Sequence, residues 1–184
     1  LFDKFKGIIE HMKDLYAFHA VVGYFRSSGY FALQPHLENI KEIKILVGIN
    51  VDQMFAEAQR KGLLYFGDEN KTKDEFLKWF IQDIKEAKYS EQVEKGVLQF
   101  INDLMKGRIE VRAHNSKAIH AKFYLFLPEK HTTHSDGWVI MGSSNLTEAG
   151  LGIKKSPNYE LNIALKDFDD VEFTKKEFIA LWEQ

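Results

Sequence analysis

His120 and Lys122 stand two residues apart in the run Ala118 to Leu127 (AIHAKFYLFL), an apolar, aromatic-rich stretch of the kind that forms a strand. Side chains alternate along a strand, so the two would share one face about 6–7 Å apart, with Tyr124 and Phe126 packing below them. A neutral imidazole beside a fixed ammonium suits attack on a phosphate. The ring nitrogen is the nucleophile, and the lysine charge stabilises the equatorial oxygens as they gain charge. The competing reading is bland: a histidine and a lysine on one strand often have no chemistry.

Two further segments carry polar groups in suggestive positions. The next apolar run ends in Gly142-Ser143-Ser144-Asn145, followed by Leu146-Thr147-Glu148-Ala149-Gly150-Leu151. A glycine there permits a sharp turn or a close approach to a ligand. The serine and asparagine side chains, with the N–H groups of a short following helix, would offer donors to an anion. Asn145 and Glu148 also make an ordinary capping box. Glu160 alternates with Leu161 and Ile163 in Asn158 to Leu165 (NYELNIAL), so it faces away from them, alongside Asn158 and Asn162. A carboxylate accepting a histidine Nδ1–H would fix the ring's tautomer, whereas a solvated strand-face glutamate needs no partner. Arg26-Ser27-Ser28-Gly29 follows an early apolar run at a helix start. Ser27 and Ser28 there would add a backbone contact to a phosphate, against the reading of an ordinary turn.

The elements that must position these residues follow from the apolar pattern. Phe18 to Phe25 and Ile43 to Ile49 read as strands apolar on both faces, which implies a sheet covered on both sides. Tyr30 to Ile40 reads as helical around Pro35, and Val51 to Gly107 as helical throughout. Within it Thr72 and Glu75 form a capping box, and Val93, Val97, Phe100, Ile101 and Leu104 mark a second helix that Gly107 would end. Ile109 to Ala113, Ala118 to Leu127, Trp138 to Gly142 and Tyr159 to Leu165 are four more strands, with Pro128 to Asp136 as a hairpin loop. Asp169 or Asp170 caps a last helix bearing Phe178, Leu181 and Trp182. The order β-α-β-α-α-β-β-β-β-α predicts an α/β fold, a layered α-β-α sandwich with a mixed central sheet.

Composition bounds what such a domain can be. The 184 residues fit one domain by the prior of about 150 residues each, and such a chain buries roughly 70% of its unfolded surface without a disulfide or metal staple. The absence of cysteine excludes thiol catalysis, thiolate-ligated zinc and iron–sulfur clusters, and fits a cytoplasmic protein. A net charge of −2 excludes a uniformly basic nucleic-acid binder. It leaves room for a local basic groove, for which Arg108, Arg112, Lys117, Lys154 and Lys155 flank the motifs in sequence. His131-x-x-His134 with Asp136 is a weak metal-ligand pattern in the hairpin loop. No run reaches the roughly 18 apolar residues of a membrane span. Starting at Leu1 without methionine and stopping within a helical pattern, the chain reads as a single domain, residues 1–184, excised from a longer protein.

Taken together, H-A-K, G-S-S-N and N-Y-E resemble the phospholipase D-like phosphodiesterase superfamily, whose signature is H-x-K-x4-D followed by G-S-x-N. The stretch from Ile119 to Asn162 resembles more narrowly the phospholipase D-like nuclease domains attached to bacterial helicases and restriction-type enzymes. The early segments V-G-Y-F-R-S-S-G-Y and I-K-I-L-V-G-I fit that subgroup's opening strands. One position departs: where the full motif has Asp, this chain has Leu127.

The resemblance implies roles residue by residue. His120 matches the nucleophile and Lys122 the phosphate-binding lysine. Ser143 and Asn145 match the phosphate-binding positions of G-S-x-N, with Ser144 between them. Glu160 matches the acidic residue that pairs with a catalytic histidine in single-motif members. The chemistry needs two such histidines, and no other histidine here has Lys two residues later. The resemblance therefore implies a homodimer with one composite site, a phosphohistidine intermediate on His120, and no metal or other cofactor. The implied function is a metal-independent phosphodiesterase, a nuclease module acting on nucleic acid, DNA foremost, within a larger helicase or restriction-type protein. The alternative is a catalytically weakened nucleic-acid-binding or dimerisation module, which Leu127 and the near-neutral charge motivate. Phospholipid hydrolysis is disfavoured, because nothing amphipathic or strongly basic suggests membrane docking.

Overall fold

Strands apolar on both faces must be covered on both faces, and the chain does this with helices on either side of one sheet. A computed structural model describes residues 1–23, 25–48, 91–114, 119–156 and 158–184. Its elements are α1 (Phe2–His11), β1 (Leu15–Val22), α2 (Ser27–Leu33) running into a 3-10 turn (Gln34–His36), and β2 (Glu42–Gly48). There follow α3 (Glu91–Met105), β3 (Ile109–His114), β4 (Phe123–Pro128), β5 (Trp138–Gly142), α4 (Glu148–Leu151), β6 (Asn162–Leu165) and α5 (Phe168–Trp182). The expected helical stretch from Val51 to Ser90, including Thr72 and Glu75, lies outside the described residues.

The six strands form one mixed sheet in the order β3-β2-β1-β4-β5-β6. β1, β2 and β3 run parallel, and β4, β5 and β6 join antiparallel, so the strand order reverses between β1 and β4. One sheet face carries Phe18, Ala20, Ile43, Ile45, Tyr124, Phe126 and Ile140 in the larger core cluster, with Phe5 and Ile8 of α1, Tyr30 and Leu33 of α2 and Phe100 of α3. The Phe5 ring meets Tyr124 edge-on at 4.8 Å and Phe126 at 5.4 Å, pinning the first helix over β4. The opposite face carries Val21, Leu46, Leu125, Leu127 and Val139 against Val171 and Phe178 of α5. Burying each such large side chain contributes about 1.5–3 kcal/mol.

Within this second layer His19 stacks on Phe178 at 4.5 Å and its Nε2 lies 2.6 Å from Glu42 Oε1. Burial pulls the imidazole below its ordinary 6.5, with Glu42 opposing. The hydrogen bond with His19 outweighs the carboxylate's own desolvation and, with Lys44 at 2.9 Å, holds Glu42 at about 2.

Several boundaries differ from the sequence reading. Helix α1 was not expected, although Phe5, Ile8 and Met12 recur at helical spacing and are all buried. The first strand ends at Val22, and Phe25 instead bridges to Leu146. Strand β4 begins at Phe123 rather than Ala118, because its ladder with β1 stops at Val21–Phe123. Strand β6 begins at Asn162 rather than Tyr159, because its ladder with β5 stops at Gly142–Asn162. Helix α5 takes Asp167 as its N-cap, and Asp169 and Asp170 lie inside its first turn, where their charge favours the helix dipole. Gly107, at φ 69°, closes α3 in the left-handed conformation expected of it.

Candidate active site

The sheet's polarity brings the chemistry-bearing segments to one edge. The C-terminal ends of β1, β2, β3 and β5 and the N-terminal ends of β4 and β6 all lie there. In open α/β sheets that edge, at the point where strand order reverses, is where ligands bind. His120, Lys122, Ser143, Ser144, Asn145 and Glu160 all sit just beyond a strand end on this edge, as do Ser27 and Ser28. His120 and Lys122 thus precede their strand instead of riding on it, which corrects the alternation argument that placed both on one strand face.

The backbone holds that segment by other means. A Cβ on Gly48, at the end of β2, would lie 2.5 Å from the Ile119 carbonyl oxygen and 2.6 Å from its Cβ. Only glycine lets the residue before His120 sit so close to β2. The Gly142 N–H donates to the Lys122 carbonyl at 3.1 Å, which locks H-A-K beside G-S-S-N. Lys122 Nζ donates to the His120 carbonyl at 2.8 Å, so the ammonium is fixed beside the histidine. The His120 side chain is exposed, and its ring has no hydrogen-bond partner among the described residues. Gly23 makes the remaining link. A Cβ there would stand 3.5 Å from Asn145 Oδ1 and 3.6 Å from Lys122 Cε, so both side chains rest on this glycine.

The serines and Glu160 form a second network. Ser143 Oγ donates to Glu160 Oε2 in a short bond and accepts the Leu161 N–H at 3.0 Å. Ser144 is fully buried: its hydroxyl lies 3.5 Å from Glu160 Oε2 and accepts Asn162 Nδ2 at 2.8 Å. Its carbonyl accepts the Tyr124 hydroxyl at 2.9 Å. Burial, aided by the Glu160 charge, drives the Tyr124 hydroxyl far above its ordinary value, so it stays a donor. Ser144 therefore spends its polar atoms within the chain and presents none to a ligand. Glu160 precedes β6, so strand alternation does not place it; its hydrogen-bond partners here are serines and not the chain's own His120.

Thr147, not Asn145, caps the short helix, accepting the Gly150 N–H at 2.9 Å. This corrects the capping-box reading and leaves the Asn145 side chain beside Gly23. Ser27 and Ser28 open α2, whose Gly29 would place a Cβ 2.7 Å from Thr147 Cα, so the two helix starts abut.

Other candidates are used elsewhere. Arg108 binds Asp103 and donates to the carbonyls of Leu37 and Ile40 at the opposite end of the sheet. Arg112 lies over the Trp182 ring at 4.3 Å. Neither joins a basic groove at the site, and Lys117 lies outside the described residues. The His131 side chain is buried against Phe168 with its Nδ1 2.8 Å from Glu172, while His134 pairs with Thr133. Among the described residues no group of three or more His, Asp or Glu is arranged to hold a metal ion. No helix among them is long and apolar enough to cross a membrane.

The sequence reading missed four residues of this assembly: Tyr124, Asn162, Gly23 and Gly48. Asn162 lay in a quoted motif, and its alternation with Glu160 was the available signal. Those of the two glycines and the tyrosine hydroxyl depend on long-range contacts that no local pattern reports.

The model of the family described as cardiolipin synthase, PLD-like domain, matches residues 42–182. Among solved structures the chain is similar to a mutant form of yeast tyrosyl-DNA phosphodiesterase 1, with 9% identity and a TM-score of 0.36. That match covers 79% of this chain and 25% of the yeast one, so the chain spans about a quarter of that protein's length. A search of curated proteins returns no match. With a six-stranded mixed sheet between helical layers and the family match over residues 42–182, the chain belongs to the phospholipase D-like domain family.

Proposed function

We propose that this domain is a phosphodiesterase acting on nucleic acid, a nuclease module, residues 1–184 forming one domain of a larger helicase or restriction-type protein. The observation that carries the reading is the convergence at one sheet edge of an exposed His120 with Lys122 fixed at its backbone and Asn145 beside that lysine across Gly23. His120 attacks phosphorus, a P–N bond forms and a P–O bond breaks, and a second histidine gives its proton to the departing oxygen. Water then attacks the phosphohistidine, the second histidine takes the water's proton, and the P–N bond breaks. Lys122 and Asn145 stabilise the charge on the transferring phosphoryl group.

The second histidine is His120 of another copy. Support comes from the sheet edge: β6 is an outer strand, and its neighbours Leu161 and Ile163 are 60% and 54% exposed. Exposed apolar residues on an edge strand invite pairing with another chain. They flank Asn162 at the end of β6 that meets the site edge, so a chain paired along this strand lies next to the site. In this reading Glu160, bonded to serines of its own chain at that same strand end, is the carboxylate that a partner's histidine would meet.

A second reading, a binding or dimerisation module without cleavage, is favoured by Leu127. It is buried in the apolar cluster under α5, where the family motif has Asp. The test is cleavage of labelled single- and double-stranded DNA in excess EDTA by wild type and His120→Ala. Cleavage by wild type alone supports the nuclease. No cleavage by either, from folded dimers that bind DNA, gives the second reading.

A further inference from the structure

The Glu160–Ser143–Ser144–Asn162 network borders a cavity of about 260 Å³, whose walls also carry Lys154, Ser156 and Asn158. Its volume lies just under the roughly 300–1,000 Å³ of pockets that take drug-sized ligands, so it has room for about one nucleotide unit. Its chemistry is mixed in a way that suits a sugar and a phosphate. Glu160, in its wall, offers a carboxylate as an acceptor for a hydroxyl. Lys154 offers an ammonium which, though paired with Glu148, remains 67% exposed, and Lys155 beside it is exposed too.

Between the cavity residues Asn158 and Glu160 stands Tyr159. Its ring is 88% exposed, the most exposed large apolar side chain among the described residues. Glu160 and Asn158 turn into the cavity, and the ring between them stands out at its rim, against water. An aromatic face held there, beside a polar cavity and two lysines, is the arrangement by which single-stranded nucleic acid is bound: bases stack on rings while cations follow the backbone.

We propose that the cavity and Tyr159 hold the nucleotide flanking the scissile phosphate, its sugar–phosphate in the cavity and its unpaired base on the ring, which makes the site select single strands over duplex. This rests on the nucleic-acid reading above and names its substrate class. In a duplex every base is already stacked and paired, and reaching the ring requires unpairing it.

The test measures binding of a short fluorescein-labelled oligothymidylate, and of the same strand annealed to its complement, by anisotropy. His120→Ala is present throughout so that the strand survives. Tyr159→Ala should weaken single-strand binding about 5- to 150-fold, the range that corresponds to one base–aromatic stack, while duplex binding stays unchanged. Tyr159→Phe, which keeps the ring, should restore single-strand affinity. Equal losses for strand and duplex, or no loss, would overturn the proposal. So would a fall in the sedimentation coefficient on Tyr159→Ala, which would give the ring to a protein interface. If neither nucleic acid binds and wild type cleaves neither, the parent reading fails. If both are bound and cleaved without regard to Tyr159, this inference alone fails.

Discussion

Replacing Tyr124 by phenylalanine tests whether the sheet core positions the site. The ring is fully buried and packs edge-on against Phe5 at 4.8 Å, contacts that phenylalanine retains. Only the hydroxyl goes, and with it the 2.9 Å bond to the Ser144 carbonyl. Ser144 is itself fully buried, so no solvent replaces the lost donor. A typical hydrogen bond contributes about 0.5–1.5 kcal/mol net, and a buried group left unsatisfied costs about 1–3 kcal/mol, which places Tyr124→Phe near 1.5 kcal/mol. In a domain of this size each kcal/mol moves Tm by about 2–4 °C, so thermal unfolding should shift down by about 3–6 °C. The same bond fixes the loop bearing Ser143 and Asn145. Small misplacements of positioning groups cost up to about a hundredfold, and DNA cleavage should fall about tenfold.

That deficit should be the same at every pH from 5 to 9. Burial keeps the Tyr124 hydroxyl protonated over this whole range, so it acts as a fixed donor and never as a titrating acid. A Tm within 1 °C of wild type together with full activity would refute the positioning argument. A deficit that grows or vanishes with pH would refute the assignment of Tyr124 to structure.

Three further expectations come from the same frame. Glu42 is held at about 2 against 4.5, and His19 is lowered, so the unfolded chain binds more protons than the folded one below about pH 6.5. Stability should therefore fall as pH drops through 6.5 and again from 4.5 toward 2, and Glu42→Gln should flatten the lower part of a urea-unfolding profile. Gly142→Ala would set a Cβ 2.1 Å from the Leu161 carbonyl oxygen, forcing β5 and the Glu160 segment apart. A cost of at least 1–3 kcal/mol by denaturant unfolding, with loss of the proposed cleavage, is expected, whereas Gly7→Ala, inside α1 with nothing within 4 Å, should raise stability by about 0.5–1 kcal/mol. On the proposed dimeric nuclease, Leu161→Asp with Ile163→Asp should give monomers in sedimentation velocity and no cleavage while leaving Tm within about 2 °C, since both side chains are exposed.

The division between what sequence reveals and what it conceals follows sequence separation. His120, Lys122, Asn145 and Glu160 stand in short motifs, and the strands they flank are apolar runs, so a local reading finds both. Strand ends are another matter. Whether Ile119 to Lys122 is strand depends on how far β1 continues alongside, and β1 stops at Val22. The periodicity of the segment itself is unchanged by that. The same holds for Asn145, which a local pattern makes a helix cap and the fold turns toward Gly23 and Lys122.

The positions that aim the chemistry are those whose partners lie farthest away. Gly48 must be glycine only because Ile119 passes over it, and Gly23 is part of the site only because Asn145 and Lys122 both come into contact range of it. Tyr124 looks like one more core aromatic until its hydroxyl reaches Ser144, twenty residues on. Leu127 follows the same logic in reverse. An aspartate there would be a charge within the apolar layer of Val21, Leu125, Val139 and Phe178, costly unless paired, and this chain fills the position with packing instead. Leu127 pairs with Ala17 at the end of β4 away from the site edge, so His120 and Lys122 are held by the contacts of Ile119 with Gly48 and of Lys122 with Gly142 and not from this position.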